Sequence, residues 1–197
     1  MYTTGMLYAG IDVGKKICKM AIIGEELIYI GDYDKNKLKG VFAVGIDAPL
    51  SLPSKGTLRE CEKKLLNLGI KLFPSGALFF REIALMGMKI AEELQSLGIQ
   101  VFEVYPYATR VMKGIAPKAK KRSKKGLEEL RLALSEIIKI PALTHDEIDA
   151  ILSALTVKDF LEGRGFVLNG DGAIIIPKKL NCIEDLKEIA GIDFYST

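Results

Sequence analysis

One run of the sequence, Val41–Asp47, constrains the fold most closely. Its residues are apolar without the polar alternation of a half-exposed strand, and an aspartate ends it. Such a run predicts a strand that is buried on both faces, as in parallel sheets that helices cover on each side. Ala48-Pro49 follows, and because proline cannot continue a central strand, we expect the strand to end at Asp47.

Patterns on either side of this strand predict the remaining elements. Before it, we expect three strands joined by tight turns, at 7–13, 18–23 and 26–33, and a short helix within 34–40. After it, we expect helices at 57–68, 77–97, 108–114, 127–140 and 145–162, a strand at 100–105, and a hairpin that pairs 166–168 with 173–176. This order predicts an α/β fold with a mixed β-sheet, three antiparallel strands followed by parallel strands, flanked by helices.

The length and composition of the chain fit one domain. Of its 197 residues, 49% are hydrophobic, which suffices for a packed core. We expect a single domain over 1–197, with a helical insertion at about 70–98 and a C-terminal hairpin at about 165–177.

No apolar run approaches the roughly 18 residues of a membrane span, and the start lacks the basic region of a signal peptide. Three widely spaced cysteines predict neither a disulfide framework nor a zinc site, so we expect a cytoplasmic protein that binds no membrane.

Aspartates stand at the ends of two predicted strands and at the start of one predicted helix. Asp12 ends an apolar run at 7–11, and Asp47 ends its own strand. Asp146 and Asp149 lie three residues apart, so both leave one face of the first turn of the helix 145–162, which a capping box begins. A carboxylate at the end of a buried strand is costly to desolvate unless something compensates its charge. The four aspartates therefore predict a site for a divalent cation.

Local explanations exist for some of these aspartates. Turns favour aspartate, which would account for Asp12, and an Asx turn before Pro49 would account for Asp47. A carboxylate in the first turn stabilises a helix, which would account for Asp146. Asp149 is harder to explain locally, because it lies beside the face of the helix that packs on the sheet. A metal site explains all four positions together.

Other residues are candidates for catalysis or for binding a phosphate chain. Glu103 ends a strand and would ligate a metal, support a ligand or be structural. His145, the only histidine, would transfer a proton, orient a carboxylate or be a solvated neighbour of the N-cap. Arg59 and Glu62 start a helix and would pair with site groups or with each other. Six cationic side chains within 118–125 would follow a phosphate backbone or belong to a solvated loop. The candidates for nucleic-acid binding are Lys15, Lys16, Lys120, Lys121, Arg122 and Lys124, with simple hairpin charges as the alternative for the first two.

Several motifs resemble those of one known family. They are Gly10-Ile11-Asp12, Ile46-Asp47-Ala48-Pro49-Leu50, Arg59-Glu60-Cys61-Glu62, Gly69-Ile70, Phe73-Pro74-Ser75, Glu103-Val104-Tyr105-Pro106 and His145-Asp146-x-x-Asp149-Ala150. Over about residues 6–177 the chain resembles the family called domain of unknown function 429, a family of predicted nucleases with a ribonuclease H-like fold. The resemblance implies catalytic carboxylates from strand one, from a parallel strand beside it and from a late helix. Their order is closer to that of Holliday-junction resolvases than to that of ribonuclease H.

The carboxylates and the resemblance together predict a metal-dependent nuclease or related phosphodiesterase. Carboxylates are hard oxygen ligands that suit Mg²⁺ or Mn²⁺, and such ions activate water and stabilise the leaving oxygen in phosphodiester hydrolysis. Asp12, Asp47 and Asp149 would ligate the metal, and Asp146 would ligate or support it. Nucleic acid would be the substrate, either DNA or RNA.

Two other hypotheses remain open from the sequence. One is a nucleotide-handling domain of the actin and sugar-kinase type, which shares this sheet but normally needs two such domains around a cleft. The other is a non-catalytic binding or scaffold module that keeps the acidic cluster for structure. The sequence also leaves the oligomeric state open, a homodimer included.

Overall fold

The structure is a computed structural model and describes residues 5–179 of the chain. The two ends of the expected single domain, 1–4 and 180–197, lie outside the described residues. In the described part, seven strands form one sheet. They are β1 (Leu7–Asp12), β2 (Lys19–Ile23), β3 (Leu27–Asp32), β4 (Val41–Asp47), β5 (Gln100–Val104), β6 (Gly165–Gly170) and β7 (Gly172–Pro177).

The strand order is β3-β2-β1-β4-β5-β7-β6. β2 pairs antiparallel with both β1 and β3, whereas β4 pairs parallel with both β1 and β5. β7 adds parallel to β5, and β6 returns antiparallel at the edge. The mixed α/β sheet that the sequence predicts is therefore confirmed, and the buried run at Val41–Asp47 lies in the middle of the sheet.

Five α-helices of the described residues cover the sheet. They are α1 (Glu60–Asn67), α2 (Arg81–Ser96), α3 (Pro106–Lys113), α4 (Lys124–Ser135) and α5 (His145–Asp159). Buried side chains of α4 and α5 form the core on one face of the sheet, and those of α2 form it on the other. A third cluster lies between α1, α3 and the β6–β7 hairpin. None of the helices within residues 5–179 is long and apolar enough to cross a membrane.

Several predicted helix bounds were wrong, for local reasons. The helix expected at 77–97 is broken, because Leu78–Phe80 forms a 3-10 turn before α2 begins. α4 begins three residues earlier than expected, since the hydroxyl of Ser123 accepts a hydrogen bond from the backbone N–H of Gly126 and caps the helix. Pro106 closes β5 as expected but also starts α3, a position where its missing N–H costs nothing.

Helix α5 lies directly on the two central strands, and two glycines permit this. A Cβ atom at Gly10 would lie 2.1 Å from the carbonyl oxygen of Ala150, and one at Gly45 would lie 2.7 Å from that of Ser153. Any side chain at either position would therefore push the helix away. The close approach brings the first two turns of α5 against the carboxyl ends of β1 and β4.

Candidate metal centre

Two strand ends and one helix bring three of the four predicted aspartates together. β1 and β4 are parallel neighbours in register, so Asp12 lies opposite Asp47. Asp149 comes from the second turn of α5, whose N-terminus is fixed by reciprocal hydrogen bonds between Thr144 and Glu147. One carboxylate oxygen from each aspartate lies within 4.8 Å of the other two. The structure thus gathers Asp12, Asp47 and Asp149 at one end of the sheet, as the sequence led us to expect.

A lysine ammonium already lies within this cluster. Nζ of Lys121 donates to Oδ2 of Asp149 in an ion pair, and the Asp149 side chain is only 4% exposed. Lys121 belongs to the basic run that the sequence assigns to nucleic-acid binding as a group. In the structure Lys121 is a counter-charge inside the carboxylate cluster, and its part in nucleic-acid binding stays a prediction.

The loop that carries Lys121 is held by a buried arginine. The guanidinium of Arg110 donates to the carbonyl oxygens of Ala116 at 2.5 Å, Ala119 at 2.9 Å and Ile115 at 3.4 Å. Burial lowers the pKa of Arg110, and the charge of Asp149 opposes this. These three hydrogen bonds hold the loop in place, and so they set the backbone position from which the Lys121 side chain contacts Asp149.

Burial and mutual repulsion raise the pKa of all three clustered aspartates. For Asp12, burial is the largest cause and the charges of Asp149 and Asp146 add to it, which raises the pKa to about 7. Burial, followed by the charges of Asp12 and Asp149, raises the pKa of Asp47 well above its usual range. Burial also raises the pKa of Asp149, although Lys121 opposes this. Carboxyl groups in this state are those that a divalent cation stabilises most.

We expect the metal-free protein to lose stability as the pH rises from about 4 to about 7. An unfolded aspartate ionises near pH 4, whereas Asp12 keeps its proton in the native state up to about pH 7. Between these values the native state holds a proton that the unfolded state has released, so the free energy of unfolding falls with rising pH. Melting temperatures in EDTA across this range measure the effect. The fall should be shallower in Asp12→Asn, and equal slopes in both proteins would contradict the shifted pKa.

Asp146 lies near the cluster but outside it. The Asp146 side chain is 49% exposed, and its Oδ1 lies 2.5 Å from Nδ1 of His145. Its oxygens are not among those within 4.8 Å of one another, although its charge raises the pKa of Asp12. A spacing of three residues advances about 4.5 Å along a helix, which places Asp146 farther out than Asp149. The position of Asp146 therefore fits a supporting role better than the metal-ligand role that the sequence suggests.

Glu103 lies beside the cluster and is already paired. The guanidinium of Arg59 donates to both of its carboxylate oxygens, at 2.5 and 2.8 Å, and both side chains are buried. Glu103 Oε2 also accepts a hydrogen bond from the backbone N–H of Leu50 at 2.8 Å. Arg59 lies 3.4 Å from Glu62 as well. Glu103 thus clamps the segment that follows Asp47, which fits the supporting role among the three roles that the sequence leaves open.

The remaining basic candidates are exposed. Nζ of Lys15 lies 3.1 Å from the Glu82 carboxylate on α2, and Lys16 is exposed in the turn after β1. Lys120 and Lys124 are exposed, and Arg122, also exposed, lines the same cleft as the clustered aspartates. Among these exposed candidates, Arg122 is the one that lines the cleft.

The cluster opens into a cleft that the sequence reasoning did not foresee. This carboxylate cleft has a volume of about 380 Å³. Its wall includes four aromatic side chains as well as the three aspartates and the cations Arg110, Lys121 and Arg122. Of these aromatic residues, Phe73 lies in a loop, Phe80 in the 3-10 turn before α2, Tyr105 directly after β5 and Tyr107 in the first turn of α3.

Comparison with known proteins yields structural matches alone. No family model matches the sequence, and no curated protein matches it. The structure of Thermus thermophilus RuvC in complex with a Holliday junction substrate matches with a TM-score of 0.51 and 14% sequence identity, over 80% of this chain and 96% of that chain. A second Thermus thermophilus RuvC structure matches at 15% identity with a TM-score of 0.45, over 80% and 97% of the two chains. The first match shows that this chain has a ribonuclease H-like fold.

Proposed function

We propose that this protein is a divalent-metal-dependent nuclease or phosphodiesterase that acts on nucleic acid, and that it belongs to the family called domain of unknown function 429. The observation that carries the proposal is the convergence of Asp12, Asp47 and Asp149 in an open cleft. The shared fold with a structure described as RuvC in complex with a Holliday junction substrate supports a nucleic-acid substrate.

The three clustered aspartates fit Mg²⁺ or Mn²⁺. They offer hard oxygen ligands from three separate elements, all within 4.8 Å of one another. Their raised pKa values and the ammonium of Lys121 show that the site attracts positive charge. A metal ion bound there would supply Lewis acidity and an activated water.

The chain's own residues divide the remaining work. Asp12, Asp47 and Asp149 would hold the metal ion. The Arg59–Glu103 pair fixes the segment after Asp47. His145, with Asp146 beside it, is the candidate for exchanging a proton with solvent. The cations Lys120, Arg122 and Lys124 are exposed near the cleft and would contact the phosphate chain.

One observation favours the scaffold hypothesis as a second candidate. The Lys121–Asp149 ion pair neutralises part of the acidic cluster without any metal. A protein that used the cluster for structure alone would keep this pair in the presence of Mg²⁺ or Mn²⁺. No comparable observation favours the actin and sugar-kinase type, because residues 5–179 supply one sheet and a two-domain cleft needs a second.

Replacement of Lys120, Arg122 and Lys124 by serine is expected to weaken nucleic-acid binding without regard to sequence. Each phosphate contact adds about 0.7–0.9 to the slope of log affinity against log salt, so the slope should flatten by roughly two to three units. The effect should be the same for all sequences, because phosphate contacts position the chain without reading bases. Fluorescence anisotropy titrations at several salt concentrations measure the slope.

A matched variant replaces Lys35, Lys37 and Lys39 by serine. These lysines are also exposed, but they precede β4 and so lie at the opposite end of that strand from Asp47. The salt slope of this variant should stay close to that of the wild type. Equal slopes in all three proteins would show that the basic loop is simply solvated. Lys121 is kept in both variants, because it contacts Asp149.

A further inference from the structure

An exposed group of phenylalanines forms part of the rim of the carboxylate cleft. We define this aromatic rim as Phe73, Phe79 and Phe80. Phe73 is 66% exposed and Phe79 is 60% exposed, whereas Phe80 is half-buried. Phe73 and Phe80 line the same cleft as Asp12, Asp47 and Asp149. Rings exposed to this degree contribute little to the core, so their position calls for another explanation.

The rings of the aromatic rim hold one another in fixed orientations. The centroids of Phe73 and Phe79 lie 5.7 Å apart with an interplanar angle of 89°, and those of Phe79 and Phe80 lie 6.4 Å apart at 61°. Such edge-to-face pairs are a preferred arrangement of aromatic rings. At a right angle, Phe79 can cover at most one face of Phe73. At least one face of the Phe73 ring is therefore left open by its aromatic neighbours.

The surroundings of the rim indicate what would cover that face. The cleft joins aromatic rings to exposed and half-buried cations, Lys121 and Arg122, and to the three aspartates. Cations beside aromatic rings are the combination that binds unpaired nucleic acid, with phosphates on the cations and bases stacked on the rings. A purely apolar protein partner would leave the charged residues of the same cleft without contacts.

We propose that the aromatic rim stacks on an unpaired nucleobase next to the phosphate held at the carboxylate cluster, with Phe73 as the main contact. This inference rests on the proposed function and narrows its substrate class. Both faces of a paired base inside a duplex are covered by neighbouring bases, so such a base must leave the stack before a ring can take their place. The substrate is therefore single-stranded, or carries an unpaired nucleotide, at the point where it enters the cleft.

Two oligomers with the same phosphates but different bases test the proposal. One is a thymidine oligomer of about ten nucleotides, and the other is an abasic oligomer of the same length. Binding is measured in Ca²⁺ by anisotropy, and the oligomers are checked for cleavage afterwards. Because phosphate contacts are equal for both, the ratio of the two Kd values reports contacts with bases alone. The wild type should favour the thymidine oligomer, and Phe73→Ala should reduce that preference by about 5- to 150-fold.

Two further variants separate stacking from other effects of the substitution. Phe73→Trp, which keeps an aromatic face, should retain the preference for bases. Phe42→Ala removes an exposed phenylalanine from the far end of β4, five residues before Asp47, and should also retain it. A wild-type ratio near one, or a ratio that Phe73→Ala leaves unchanged, would overturn the proposal. If Phe73→Ala lowers the oligomeric mass of the protein and leaves the ratio of the two Kd values unchanged, the proposal is also overturned. The rim would then form contacts between copies of the chain.

The outcome for the rim is independent of the outcome for catalysis. Preference for bases that depends on Phe73, without any cleavage in Mg²⁺ or Mn²⁺, would leave the rim proposal standing and refute the nuclease. Cleavage in Mn²⁺ with a base preference that Phe73→Ala does not change would refute the rim proposal and leave the nuclease standing.

Discussion

Asp12→Asn and Asp149→Asn are each expected to reduce Mn²⁺-dependent cleavage of nucleic acid by at least about 100-fold. Loss of a residue that merely supports a metal ligand costs 10- to 100-fold in affinity or activity, and loss of a ligand should cost no less. The double variant should be little worse than either single one, because residues that act as a unit are not additive. Initial rates on a panel of single-stranded, duplex and branched DNA and RNA measure the effect.

A carboxylate at the other end of the sheet gives a control for this experiment. Glu25 follows β2 at the opposite end of the sheet, and its side chain is 89% exposed. Glu25→Gln should leave cleavage unchanged. Cleavage that survives in both aspartate variants would point to a contaminating nuclease and would remove the basis of the proposed function. Hydrolysis of free nucleotides without cleavage of nucleic acid would instead support the actin and sugar-kinase hypothesis.

Saturating Mg²⁺ or Mn²⁺ should raise the melting temperature by roughly 5–10 °C. At a concentration of about 100 times Kd, binding to the native state adds about 2.7 kcal/mol to the free energy of unfolding. For a chain of this size each kcal/mol corresponds to roughly 2–4 °C. Asp47→Asn should remove most of this gain, since it removes a ligand. Differential scanning fluorimetry with and without EDTA measures both values.

The same experiment reports what Asp47 does in the absence of metal. Burial and the charges of Asp12 and Asp149 raise its pKa, so its ionised form is unfavourable in the native state. Asp47→Asn should therefore leave the metal-free protein as stable as the wild type or more stable. Loss of the folded state on this substitution would show that Asp47 has a structural role and would contradict the metal centre.

Lys121 and its neighbour Lys120 form a matched pair for this assay. Lys121 contacts Asp149 in the cluster, whereas Lys120 is exposed. Lys121→Ala leaves Asp149 without its counter-charge, so the metal-free melting temperature should fall and the gain on adding Mn²⁺ should increase. Lys120→Ala should change neither value. If Lys121→Ala abolishes the rise in melting temperature on adding Mn²⁺, Lys121 is needed for metal binding and is more than a counter-charge in place of the metal.

The parts of the site that lie on regular elements were predictable from the sequence. Asp12 and Asp47 end strands, and the buried run before Asp47 predicts a central parallel strand with the bounds that the structure shows. Parallel strands in register carry such ends to the same edge of the sheet. Asp149 followed from its place beside the buried face of a capped helix. Periodicity and capping are local signals, and they were sufficient for these three residues.

The rest depends on contacts between distant segments, which leave no local pattern. Nothing in the basic run distinguishes Lys121 from its neighbours, because its reach to Asp149 depends on carbonyl groups that Arg110 holds. In the sequence Glu103 is simply a carboxylate at a strand end. Its pairing with Arg59 joins residues that are 44 positions apart, so no local pattern predicts it. The aromatic rim lies in an irregular segment whose direction depends on the packing around it.

The most direct test of the metal centre is anomalous diffraction from crystals soaked in Mn²⁺. We expect an anomalous peak between the carboxyl ends of β1 and β4 and the first turns of α5, in direct contact with oxygens of Asp12, Asp47 and Asp149. Nζ of Lys121 should then have moved away from Asp149. A saturating soak that leaves this position without anomalous density, with Lys121 still bound to Asp149, would contradict the metal centre and support a structural role for the cluster.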